Sequence, residues 1–208
     1  MAVPKIYTIR DQLRNVKKGR ILDEARKLFY AHGFRGTSLD AIAESMGVTK
    51  PFVYGVYDKK TDILFDISLH NIHRSIEAVE GGAASAGTVS ERLGEAARRL
   101  TRVCIEYREG VAVFFRDETS LDPEHHEVIR TLKKRIDDSL AHLLEEGAAN
   151  GEFQLIDART SALAIGGMIS WSYVWYRPHG RLSMEALMEQ MAQYALRIAG
   201  ANSQYQEG

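Results

Sequence analysis

The stretch from Thr49 to Lys60, TKPFVYGVYDKK, carries side chains suited to gripping a large polyanion. Lys50 and Lys60 supply cations for phosphate, and the Tyr54 hydroxyl can donate to a phosphate oxygen. Phe52 can pack on a thymine methyl group. Thr49 and Pro51 read as a helix start, because proline loses little by its missing N–H in a first turn. Upstream, Thr37 and Ser38 begin another helix, whose free N–H groups are a second place for a phosphate. The pattern suits duplex DNA. Val53 and Tyr57, four apart, and Phe29 and Phe34 are assigned instead to the core that holds these helices together.

Two other constellations lie further along. Tyr107, Phe114, Phe115, Met168, Trp171 and Trp175 could line an apolar ligand pocket, since such pockets are mostly apolar with a few placed polar groups. Asp66, His70 and His73 stand at i, i+4 and i+7, a spacing that could hold a metal on one helix face. Without a cysteine or a ligand from a second helix they read better as a polar patch between helices, and no metal is assigned. Cys104, the one cysteine, reads as a small buried hydrophobe. There is no nucleophile–base pairing, no G-x-S-x-G turn and no phosphate loop, so no catalytic residue and no cofactor is assigned.

Helices must position nearly all of these side chains. Ile21, Leu22, Ala25, Leu28 and Phe29 form a stripe at helical spacing that ends at Gly33. Thr37 can cap the next helix, with Asp40 three residues on in the manner of a capping box. Leu39, Ile42, Ala43 and Met46 give its apolar face, and Gly47 stops it. Further helices are expected over about 61–80, ending at the small-residue stretch GGAASAG, and over about 88–108, 110–118 and 123–149. The segment 157–177 is apolar nearly all round. Residues 183–200 form the last helix, striped by Met184, Leu187, Met188, Met191, Ala195 and Ile198. No strand is expected.

The 208 residues, 45% hydrophobic and 26% charged, suffice for a real core. The net charge of −1 conceals an asymmetry. Residues 1–60 hold 12 Lys and Arg against 6 Asp and Glu, whereas the remainder holds 15 against 22. A basic head on an acidic body points to different partners for the two. A lone cysteine fits a reducing compartment, and no apolar run is long enough to cross a bilayer, so a cytoplasmic protein is expected.

The segment GFRGTSLDAIAESMGVTKPFVYGVYDKKTDIL, residues 33–64, resembles the DNA-binding segment of the TetR family of transcriptional repressors. Gly33, Phe34, Thr37, Ser38, Ile42, Ala43, Gly47, Val48, Thr49, Tyr54 and Lys60 carry the match. Pro51 stands where the family usually has a small residue, and Tyr57 where it has Phe. Gly55 and Val56 stand where it often has Tyr or Arg and a phosphate-binding His. The resemblance implies an all-α, nine-helix fold: a helix-turn-helix head with a basic N-terminal arm, residues 1–62, on an effector-binding and dimerisation body, residues 63–208. It implies a homodimer, joined through the helices at about 157–177 and 183–200, on a palindromic operator in double-stranded DNA.

Ala162, Gly166 and Ser170, four apart, form a small-residue ridge that would suit either that dimer or close packing within one chain. FFRDETSLDPEHHEVI and GMISWSYVWYRPHGRLS are similar to a subgroup controlling fatty-acid, aromatic-acid or sterol degradation, whose effectors are acyl-coenzyme A thioesters. That subgroup often has Arg where this chain has Val174. Arg102, Arg108, Arg116 and Arg177 could meet the coenzyme phosphates instead. The expected function is a repressor released from its operator by such a ligand. The competing readings are a regulator of the same family sensing another hydrophobic ligand, a helical scaffold that binds DNA without a ligand, and a helical enzyme.

Overall fold

The computed structural model describes residues 9–201, with side chains from residue 12, and the expected basic arm at the extreme N-terminus lies outside them. Ten α-helices follow one another, with no strand among the described residues: α1 Ile9–His32, α2 Leu39–Ser45, α3 Lys50–Tyr54, α4 Lys60–Ala83, α5 Val89–Glu106, α6 Arg108–Asp117, α7 Pro123–Ala149, α8 Ala158–Ser170, α9 Ser172–Trp175 and α10 Met184–Ile198. Only Trp171 separates α8 from α9, so counted as one interrupted helix they give the nine expected.

Local chemistry sets the boundaries. Ser38 caps α2 by accepting from Ala41 N–H. Thr37, expected in that role, is instead buried, and its hydroxyl donates to Gly33 O at 2.9 Å. Gly47, at φ +64°, reverses the chain between α2 and α3, where a side chain would be strained. Thr88 and Glu91 close a reciprocal capping box on α5, and Asp157 and Ser183 cap α8 and α10. The helix expected to stop before Gly81 runs on through Ala83. Gly82 stays helical because α5 crosses there: a Cβ on it would stand 2.4 Å from the Ala96 main chain. Packing at that crossing outweighs the low helix propensity of glycine.

The core falls into two clusters. One gathers Ile21, Ala25 and Phe29 of α1 with Ile42, Val53, Tyr57 and Ile63, and continues along α4 to Val113 and Phe114 of α6 and Ile129 of α7. The other is built from α5, the second half of α7, α8 and α10. Ile136 packs against both. The head is therefore seated on the first turns of α4 by continuous apolar packing. Glu152, a buried carboxylate after α7, accepts from Val89 N–H, Ser90 N–H and the Ser90 hydroxyl, fastening that loop to the start of α5. Burial disfavours its charge, yet these hydrogen bonds outweigh it and hold its pKa below the usual glutamate value.

Candidate functional site

The helices α2 and α3, joined through Gly47, form a helix-turn-helix unit braced by α1. Ser38, Thr49, Lys50, Pro51 and Tyr54 stand on its exposed side, and Phe52 is half-buried. Thr49 is the N-cap of α3 with no side-chain cap bond, and Pro51 lies in the first turn. Asp40 ties the two helices together. Its carboxylate accepts from Lys50 Nζ at 2.6 Å and from the Tyr54 hydroxyl at 3.2 Å. Chiefly the Lys50 hydrogen bond, then that from Tyr54, holds Asp40 below its ordinary pKa, while Lys50 and Tyr54 are raised by the same contacts. Lys50 and Tyr54 are thus oriented before any nucleic acid arrives.

Two expectations need correction here. Lys60 does not extend towards solvent as a phosphate cation. Its Nζ donates to Phe34 O at 2.7 Å and Thr37 O at 2.9 Å and lies 4.4 Å from the Phe34 ring centroid. It holds the α1–α2 turn onto the start of α4. The Thr37 N–H is not free either, since it donates to Phe34 O.

The sequence reading missed the C-terminal half of the basic run on α1. Lys17 Nζ lies 5.0 Å and the Arg20 guanidinium 5.9 Å from the Phe52 ring centroid. A groove of about 370 Å³ separates Leu13, Arg14 and Lys17 from Pro51, Phe52 and Val56. The signal was present in KKGR at 17–20, but its proximity to α3 is tertiary.

A second feature lies in the body. Ser68, Asn71, Ile72 and Ser75 of α4 meet Leu100 and Cys104 of α5, Val111, Phe114 and Phe115 of α6, Lys133, Ile136 and Asp137 of α7, and Leu163, Gly166, Gly167 and Ser170 of α8 around a mostly apolar cavity of about 240 Å³. Asn71 is only 8% exposed, and its Nδ2 is buried with no hydrogen-bond partner among the described residues. This donor lies beside Gly110 of α6, where a Cβ would stand 2.5 Å from it. Burial, partly countered by Lys133, raises the Asp137 carboxyl above its ordinary pKa. Burial pushes the Cys104 thiol up to about 12, so it lines the cavity as an unreactive hydrophobe.

Of the six side chains expected at a pocket, Phe114 and Phe115 line this one. Tyr107, Met168, Trp171 and Trp175 do not. Tyr107 sits under the Arg74 guanidinium at 4.4 Å, and Met168 packs against the second core cluster. Trp171 and Trp175 are 59% and 44% exposed on the outer face of α8 and α9. The small-residue ridge also divides: Ala162 is buried in the core, while Gly166 and Ser170 border the cavity.

Three of the four candidate arginines are engaged with main-chain carbonyls. Arg108 donates to Tyr173, Arg116 to Phe29 and Tyr30, and Arg177 to Val174 and Tyr176. Arg102 is exposed with no partner among the described residues. The Asp66, His70 and His73 patch does not converge. Asp66 accepts from Tyr57 at 2.7 Å and pairs with Lys18 at 2.8 Å, and His70 Nε2 accepts from Arg74 at 2.8 Å. No helix among the described residues is long and apolar enough to cross a membrane.

Comparison with known proteins agrees with this geometry. Residues 21–67 match the family described as bacterial regulatory proteins, tetR family, and residues 86–199 match the one described as tetracyclin repressor-like, C-terminal domain. A TetR/AcrR-family transcriptional regulator from Thermobifida fusca is 30% identical, with 88% of this chain and 97% of that chain covered and a TM-score of 0.70. The TetR-family regulator PfmR of Thermus thermophilus is 28% identical over 86% of this chain and 97% of its own, with a TM-score of 0.80. AibR, solved in complex with isovaleryl coenzyme A and operator DNA, is 24% identical, with 89% and 100% covered and a TM-score of 0.77.

Proposed function

The chain belongs to the TetR family and is a DNA-binding transcriptional regulator, and we propose that it is a cytoplasmic repressor released from its operator by a short acyl-coenzyme A thioester. One observation carries this reading. The helix α4 begins at Lys60, directly beneath the reading head, and lines the body cavity with Ser68, Asn71, Ile72 and Ser75. From Lys60 to Ser75 is about 22 Å along a continuous helix, so a ligand that displaces the cavity wall moves the helix that carries the head.

The cavity chemistry favours an acyl group. Its wall is mostly apolar, and Asn71 Nδ2, which has no hydrogen-bond partner among the described residues, would suit a carbonyl oxygen. At about 240 Å³ it is smaller than a typical drug-sized site, which favours a short or branched acyl chain over a long one. The coenzyme portion would lie outside it. AibR, a fold relative, was solved with such a thioester. Another hydrophobic ligand bearing one acceptor is the alternative that the same cavity allows.

On the head, Ser38, Thr49, Lys50, Pro51, Phe52 and Tyr54 face the DNA, joined by Arg14, Lys17 and Arg20, while Thr37 and Lys60 hold the head's shape. The functional division falls at residues 62 and 63, although the core packs across it. Two heads are supplied by a homodimer built on the outer face of α8 to α10, where Leu163, Trp171, Val174, Trp175 and Tyr194 expose apolar surface. A two-fold dimer matches a palindromic operator. The test is a mobility-shift assay on DNA flanking the protein's own gene, with a panel of acyl thioesters from acetyl to aromatic. Release by a short member, lost in Gly166→Leu, supports the proposal; retention of DNA against the whole panel overturns it.

A further inference from the structure

The geometry points to a divalent transition-metal site, of the zinc or manganese class, clamping the start of α4 to the start of α7 through Asp62, Asp122 and His125. One donor atom from each lies within 4.8 Å of the other two, and all three residues are half-buried. Tetrahedral coordination at 2.0–2.2 Å sets donors roughly 3.4 Å apart, so small side-chain rotations complete the site. Two carboxylates and an imidazole are a common donor set for these ions.

The positive ends of α4 and α7 would by themselves explain two nearby carboxylates. They do not explain the imidazole. His125 Nδ1 is buried and has no hydrogen-bond partner among the described residues, although the ring is held firmly, stacked on Phe65 at 3.9 Å with 6° between planes. Asp122, the N-cap of α7, makes no side-chain cap bond. Among the described residues it accepts only from the Thr61 hydroxyl, at 3.3 Å, which leaves carboxylate lone pairs for a cation. The site stands two residues beyond Lys60. A cation there would fix the helix that carries the head against the body, independently of any ligand in the cavity.

The test is calorimetric titration of the chelator-dialysed full chain with Zn2+ and, separately, Mn2+. The expected result is one cation per chain at this site. His125→Phe, which keeps a ring on Phe65, and Asp62→Asn each weaken binding at least tenfold, while His70→Ala leaves it unchanged. Operator affinity in the presence of the bound cation differs from that of the chelated protein, and the difference vanishes in Asp62→Asn. The inference is overturned if neither ion binds, or if His125→Phe and Asp62→Asn bind as the wild type does.

Discussion

Replacing Asn71 by leucine tests the cavity through two effects of opposite sign. The two side chains are nearly isosteric, so the exchange removes a donor without opening a void. Asn71 Nδ2 is buried and unpaired among the described residues, and leaving such a donor unpaired costs about 1–3 kcal/mol. Taking the low end, the free variant gains about 1 kcal/mol, which for a chain of this size raises Tm by about 2–4 °C. The effector suffers the reverse. Its carbonyl oxygen, once paired with Asn71, is buried against leucine, a loss of about 2 kcal/mol or roughly 30-fold in affinity. The assay is a thermal melt paired with fluorescence anisotropy on operator DNA, titrated with the thioester that releases the wild type. A higher Tm with a release midpoint shifted by tens of fold is the expected pair. A lower Tm with an unchanged midpoint refutes the reasoning, because Asn71 would then be a structural residue that no ligand meets.

Four further outcomes are expected. Lys17→Ala should reduce the slope of log affinity against log salt by about 0.9 per head, as the loss of one phosphate contact requires. Lys60→Met should lower Tm and weaken operator binding by the same factor at every salt concentration, because Lys60 serves the carbonyls of Phe34 and Thr37. Asp137 has a raised pKa, so its own contribution to stability falls as pH climbs above about 4; Asp137→Asn should melt higher than the wild type at pH 7–8, with the gap closing towards pH 4. Glu152 has a lowered pKa, so its stabilisation is present at neutral pH and fades in acid; Glu152→Gln should cost about 1.5–3 kcal/mol at pH 7 and little below the ordinary glutamate range, as melts across pH will read.

The head was legible because its signals are local. Gly47 needs a positive φ, Pro51 opens a first turn, and Val53 and Tyr57 lie four apart, so each could be placed from its neighbours alone. Lys60 misled because its charge is visible in sequence while its acceptors are not: Phe34 and Thr37 stand 26 and 23 residues away. Thr37 was the expected cap of α2, but it is buried under the turn, and the exposed Ser38 takes that role.

In the body, large aromatics drew attention, yet Trp171 and Trp175 face outward. Beside Phe114 and Phe115, much of the cavity wall comes from two sets at i, i+3, i+4 and i+7: Ser68, Asn71, Ile72 and Ser75, and Leu163, Gly166, Gly167 and Ser170. The periodicity of each set is readable. That the small residues border open space, and not a close helix crossing like that at Gly82, depends on how α4, α6, α7 and α8 diverge. The Asp62, Asp122 and His125 cluster was invisible for the same reason, since sixty residues separate its two halves in the chain.

The most direct measurement is operator affinity of the wild-type protein with and without a saturating short acyl-coenzyme A thioester, at fixed salt. If α4 couples the cavity to the head, the thioester weakens DNA binding by roughly 5–150-fold, and operator DNA weakens thioester binding by the same factor. Tight thioester binding that leaves operator affinity unchanged would contradict that coupling.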